Sequence, residues 1–224
     1  MLSCTKEANS VKTGAISAIT VVNAMGSANP FIVDLYGANS VAVYYATTRQ
    51  IGYGSYYDYS IPSGNMPLTI YQTTDTLHPV YKNTVNLQPD AIYSLFLSGL
   101  DVANPDTLLI QDHPPYHSIA DSTVGVRFVN LSQDSNPISV NIQGTANGSE
   151  VSSLSYKSIT DFKSYPATIN IAQYTFEIRD ASSGNLLTTY TYNVAPFQNI
   201  TIAVIGEEDP LSTVPISTMQ INNY

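Results

Sequence analysis

The segment Ile19-Thr20-Val21-Val22-Asn23 returns as Val126-Arg127-Phe128-Val129-Asn130, and Val33-Asp34-Leu35-Tyr36-Gly37 returns as Val140-Asn141-Ile142-Gln143-Gly144, both 107 residues on (130 − 23 and 144 − 37). Asn29-Pro30 recurs as Asn136-Pro137 at the same spacing, and near the ends of the two units Asn86, Pro89 and Gly99 face Asn193, Pro196 and Gly206. Solenoid units run to about 20–50 residues, whereas a domain with its own core needs about 100, so this repeat is a duplicated domain. Between the two blocks Pro67-Leu68-Thr69-Ile70 matches Pro166-Ala167-Thr168-Ile169 at an offset of 99, which gives the first unit eight extra residues in its middle. The expected layout is a polar stalk over 1–12, one domain over 13–115 and a second over 116–224.

Inside each unit the apolar residues alternate. Ile19 and Val21, then Val126 and Phe128, Val140 and Ile142, Phe176 and Ile178, and Ile200, Ile202 and Val204 sit two apart, the signature of strands with one buried face. Turn formers separate the runs at Gly26-Ser27, Ser63-Gly64-Asn65, Asn147-Gly148 and Ser183-Gly184-Asn185. No segment carries helical spacing with caps. The prediction is an all-β chain of two tandem sandwiches with seven or so strands each. Asp180 to Asn185 reads as the loop of a hairpin. Asn23 and Asn130 each close a first strand, where an amide satisfies backbone groups of the departing loop.

Charge narrows the partners. Eight Lys and Arg stand against 17 Asp and Glu, a net charge of −9 that repels phosphate backbones, so nucleic acid is excluded. Charged residues make up only 11% of the chain, and its polar surface is built from Ser, Thr, Asn, Gln and 17 Tyr, as in many secreted β proteins. No apolar run is long enough to span a membrane. The single cysteine, Cys4, rules out an intrachain disulfide. Met1-Leu2-Ser3-Cys4 resembles the end of a bacterial lipoprotein signal, in which the cysteine is acylated. A lipid on Cys4 would anchor the protein to a membrane without inserting it, and residues 5–14 would serve as the stalk.

Val126-Arg127-Phe128-Val129-Asn130-Leu131-Ser132, with Asn136-Pro137 and the strand ending at Gly144, resembles the opening motif of the DUF4397 domains, and the first unit shows the same signature in weaker form. The resemblance implies an immunoglobulin-like or transthyretin-like sandwich on exported bacterial proteins, often lipoproteins of Bacteroidetes. It implies no catalytic residue and no cofactor.

Candidate chemistry is sparse. Asp112, His113 and His117 cluster at the junction of the units, but the intervening Pro114-Pro115 makes the segment stiff, so a metal site there competes with a plain rigid linker. No nucleophile elbow or phosphate loop occurs. Tyr44, Tyr45, Tyr53, Tyr56, Tyr57 and Tyr59 crowd sixteen residues of the first unit. They form either a recognition loop for an extracellular glycan or protein, or cross-strand packing. The expected function is a non-catalytic cell-surface binding or adhesion module. A structural spacer or assembly subunit is the alternative, with a hydrolase a distant third.

Overall fold

The computed structural model describes residues 15–35, 37, 49–120, 122–209 and 211–223. Seven strands form the first half: β1 (Ile16–Asn23), β2 (Phe31–Asp34), β3 (Ser55–Pro62), β4 (Gly64–Gln72), β5 (Tyr81–Leu87), β6 (Ile92–Ser98) and β7 (Asp106–Asp112). Eight form the second: β8 (Thr123–Asn130), β9 (Ile138–Ile142), β10 (Val151–Leu154), β11 (Lys163–Pro166), β12 (Gln173–Asp180), β13 (Leu186–Asn193), β14 (Asn199–Ile205) and β15 (Ser217–Asn223). The first half pairs a β3-β1-β6-β7 sheet with a β2-β4-β5 sheet, and the second pairs β11-β8-β14-β15 with β10-β9-β12-β13. The described residues are thus all-β, in two sandwich halves. Each half has a parallel pair, β1 with β6 or β8 with β14, at the centre of one sheet. That order differs from the ABED and CFG sheets of an immunoglobulin constant domain.

Strand register reproduces the sequence offset. Ala18 faces Ile92 across the first parallel pair and Gly125 faces Asn199 across the second, each residue 107 on from its counterpart. The middle of the alignment is corrected by the pairing. Ile16 faces Pro62 and Thr123 faces Pro166, so Pro166 corresponds to Pro62 rather than to Pro67. Val33 faces Ile70 and Val140 faces Ile178, which places β4 opposite β12 in the comparison. The first half therefore has only three extra residues before β3 (62 − 16 against 166 − 123). A Pro-x-Thr-Ile coincidence on two non-equivalent strands had mimicked a larger insertion.

Three cores hold these sheets. Ile19, Val21, Phe31, Val33, Leu68, Ile70 and Leu95 fill the first sandwich, while Val126, Phe128, Val140, Phe176, Ile178 and Ile202 fill the second. The third core joins the halves: Val22, Ala24 and Phe96 pack with Val129, Leu131, Ala203, Ile205, Met219 and Ile221. Central strands β1, β6, β8 and β14 are therefore buried on both faces. Double burial explains why their sequences run close to continuously apolar instead of alternating strictly. At about 1.5–3 kcal/mol per fully buried large side chain, the third core alone contributes several kcal/mol to holding the halves together.

The two asparagines act as expected. Asn23 Nδ2 donates to the Ile51 carbonyl at 3.1 Å while its Oδ1 accepts from Met25 N at 3.0 Å. Asn130 repeats the device, donating to the Leu154 carbonyl at 3.2 Å and accepting from Ser132 N at 3.0 Å. The β12–β13 hairpin also forms, and its loop is shaped by Asp180 Oδ1, which accepts from Ser182 N at 2.8 Å and Ser183 N at 2.6 Å. The Ser182 hydroxyl, which donates to Oδ1 at 2.6 Å, the Ser183 N–H and the Asn136 amide favour the carboxylate and hold the Asp180 pKa well below its usual range.

Candidate functional site

Where the chain crosses from β7 to β8, polar side chains are buried between the halves. Arg127, in the middle of β8, is 4% exposed. Its Nε donates to Thr201 Oγ1 at 2.7 Å, its Nη2 lies 2.7 Å from Asp112 Oδ1, and Phe162 covers the guanidinium with its ring centroid at 4.5 Å. Asp112 Oδ2 in turn accepts from Ser94 Oγ at 2.6 Å. The Asp112 contact is ionic in kind, since neither Oδ1 nor Nη2 meets hydrogen-bond geometry. Burial draws the Arg127 pKa down from its ordinary value, and Asp112 opposes that shift.

A cleft of about 380 Å³ opens beside this pair. Ile110 and Gln111 of β7, His113 and Pro115 of the connector, Arg127, and residues 159–162 between β10 and β11 line it. Its volume lies at the small end of the range for ligand sites, about 300–1,000 Å³. Ile110, Pro115, Ile159 and Phe162 supply apolar wall, and Gln111, His113, Thr160 and Asp161 supply polar groups.

The connector is fastened down. Asn199 Nδ2 donates to the Pro115 carbonyl at 2.9 Å, and the His117 ring lies 2.8 Å from Thr123 Oγ1 through Nδ1 and 3.0 Å from Asn199 Oδ1 through Nε2. Residue 125 must be glycine for this approach, because a Cβ there would overlap the Asn199 side chain. The three metal candidates are thereby separated in role: Asp112 is committed to Arg127 and Ser94, His117 to Thr123 and Asn199, and His113 lines the cleft. Among the described residues no three His, Cys, Asp or Glu side chains gather as metal ligands.

A second polar cluster ties the far end of the interface. Tyr156 OH donates to Asp106 Oδ2 at 3.0 Å and lies 2.9 Å from Ser98 Oγ, while Lys157 Nζ reaches Asp106 Oδ1 at 2.9 Å. Lys157 and Tyr156 lower the Asp106 pKa, and burial pushes the Tyr156 hydroxyl up to about 12.

Tyr53, Tyr56, Tyr57 and Tyr59 are spent in packing. Tyr53 and Tyr56 lie against the third core, and Tyr56 OH accepts from Asn222 N at 3.1 Å across the interface. Tyr57 and Tyr59 point to the opposite face of β3 and pack on the first core, edge to face with each other at 4.8 Å. The four therefore form no single accessible patch. Tyr44, Tyr45 and Cys4 lie outside the described residues.

Arg127, Phe162, Gln111 and Ile159 escaped the sequence reading. The available signal was Arg127 itself, a lone cation within the run Val124 to Val129.

No curated protein matches the chain. Among solved structures, CBMbc (family CBM26) from Eubacterium rectale Amy13K, in complex with maltoheptaose, aligns over 93% of this chain and 97% of its own, at 11% identity and a TM-score of 0.28. A streptococcal virulence factor described by its α-glucan binding aligns over 91% of this chain and 97% of its own, at 12% identity and a TM-score of 0.25. Likenesses at that level of superposition say nothing about what this chain binds. The family comparison is firmer: a match over residues 17–141 runs from β1 into β9, so the chain belongs to the family described as Domain of unknown function (DUF4397).

Proposed function

We propose that this protein is a non-catalytic binding module of the bacterial cell surface, with its ligand, a glycan or a protein segment, seated in the cleft at the junction of the halves. One observation carries this reading. A buried, ion-paired guanidinium stands at the floor of a part-apolar cleft between two sandwiches fixed to each other by a third core. A site assembled from two rigid bodies is preorganised, and preorganisation reduces the entropy lost on binding. The second half is read as a diverged second copy of the family domain, supported by the shared register. A lipid on Cys4 would hold the module at the outer membrane or cell surface.

A spacer or assembly subunit is the second reading, favoured by the packing of Tyr53, Tyr56, Tyr57 and Tyr59 into structural contacts. The test is a glycan and extracellular-protein array probed with residues 15–224 and with Gln111→Ala and Ile159→Ser variants, folding being checked by thermal melt. Binding that is lost in the variants with the fold intact supports the cleft. An array-negative protein favours the spacer.

A further inference from the structure

We infer that the junction cleft selects by charge, taking a neutral, hydroxyl-rich ring such as an uncharged sugar residue and rejecting acidic sugars; the inference rests on the cleft being the binding site. A guanidinium carries five N–H donors. In Arg127 one meets Thr201 and the Nη2 side faces Asp112, but Nη1 has no hydrogen-bond partner among the described residues. The residue is 4% exposed, so the cleft it lines is the route by which that donor meets an acceptor. Nη1 is not among the fully buried polar atoms that lack a partner, so it opens on the cleft and is free to donate to an oxygen-bearing ligand.

The charge of the ligand is constrained from both directions. Asp112 already balances Arg127, and Asp161 adds an exposed carboxylate to the cleft lining, leaving the site one negative charge in excess. A uronate placed against Nη1 would lie beside both carboxylates, in a partly buried setting where like charges repel more strongly than in water. An ammonium group could pair with Asp161, but it offers Nη1 no acceptor. Neutral hydroxyls suit all the polar groups at once: they accept from Nη1, donate to Asp161, and do either with Gln111. Thr160 Oγ1 accepts from Phe128 N at 3.0 Å, which leaves its own proton free to donate. Ile110, Ile159 and Phe162 provide apolar surface for the C–H face of a ring.

Isothermal titration of the full chain tests this with neutral trisaccharides of glucose, mannose and galactose, the galacturonate trimer, and the trimer of glucosamine. At least one neutral trisaccharide is expected to bind at least tenfold more tightly than either charged trimer. Gln111→Ala should weaken that binding about tenfold. Asp161→Asn should narrow the gap between neutral and uronate ligands. Tighter binding of the galacturonate or glucosamine trimer, still lost in Gln111→Ala, overturns the charge selection and leaves the cleft as the site. Neutral binding indifferent to Gln111→Ala and Asp161→Asn removes the cleft itself, and with it the inference. Absence of any neutral binding also overturns the inference, while the protein arm of the array still decides whether the cleft is a site.

Discussion

Asp112 Oδ1 and Arg127 Nη2 stand 2.7 Å apart although they belong to different halves of the chain, and both side chains are at most 5% exposed. A buried pair of this kind repays its desolvation only while both members are present. Removing one partner, as in Asp112→Ala, leaves an uncompensated charge and should cost about 3–5 kcal/mol in urea unfolding. Replacing both, as in Asp112→Leu with Arg127→Met, should recover most of that loss. A double-mutant cycle reads the difference directly, and additivity of the two single changes would show that the pair is not coupled.

The third core makes the halves unfold together. Phe96 is fully buried between them, and Phe96→Ala should cost about 3–5 kcal/mol. A carboxylate in its place is a sharper probe. Phe96→Asp should split one calorimetric transition into two, as each sandwich melts on its own; a single transition at reduced temperature would show that the apolar interface is not what couples them.

The Asp106–Tyr156–Lys157 cluster predicts loss of stability at both ends of the pH scale. Asp106 has a depressed pKa in the fold, so its contribution is complete above its usual value of 3.8 and declines as pH falls through the lower folded value. Tyr156 is raised from 10.0 to about 12, so its contribution is complete below 10 and declines as pH climbs toward 12. Melting temperature measured against pH should therefore show a plateau with two falling edges. Asp106→Asn should lower the plateau while softening the acid edge, and Tyr156→Phe should soften the alkaline one; other buried tyrosines keep part of that edge in place.

Phe197 adopts φ +67°, a left-handed conformation that bulky residues avoid. Its counterpart in the first half, Asp90 (197 − 90 = 107), sits at φ +57° with a side chain that tolerates it. Phe197 is also 44% exposed, so little packing offsets the strain. Phe197→Asn should stabilise the protein by about 1 kcal/mol in denaturant titration. A destabilised variant would show that the ring makes a contact worth more than the backbone strain.

Periodicity and turn chemistry are local properties, which is why the strands, the Asp180 hairpin and the roles of Asn23 and Asn130 could be read from residues alone. The interface between the halves could not. Val22 and Phe96 look like any apolar strand residues until a second sheet is placed on them, and a strand buried on both faces differs from one buried on a single face only by losing polar alternation. Ile200 to Ile205 carries that mark, and Thr201 inside it is fully buried. Charge offered another opening: Arg127 in an apolar run demands a buried partner, yet Asp112, next to His113 in sequence, reads there only as a weak metal candidate or as part of a stiff linker. The tyrosines left two readings open for a related reason. Density along the chain says nothing about direction, and the alternation of β3 sends Tyr56 one way and Tyr57 and Tyr59 the other.

The third core has one more property. Val22 and Val129, Ala24 and Leu131, and Phe96 and Ala203 are counterparts at the 107-residue offset, so each half offers the same patch to the other. Such a contact is isologous, the form found in two-fold homodimers. Here the linker makes it intramolecular, so its occupancy does not depend on protein concentration. Covalent linkage also removes the requirement that the two sides stay identical. Position 127 carries Arg where its counterpart is Thr20, and a single ion pair replaces the two that strict symmetry would impose. The junction cleft exists beside one member of that broken pair, a one-sided site that a symmetric dimer of identical chains would be obliged to build twice.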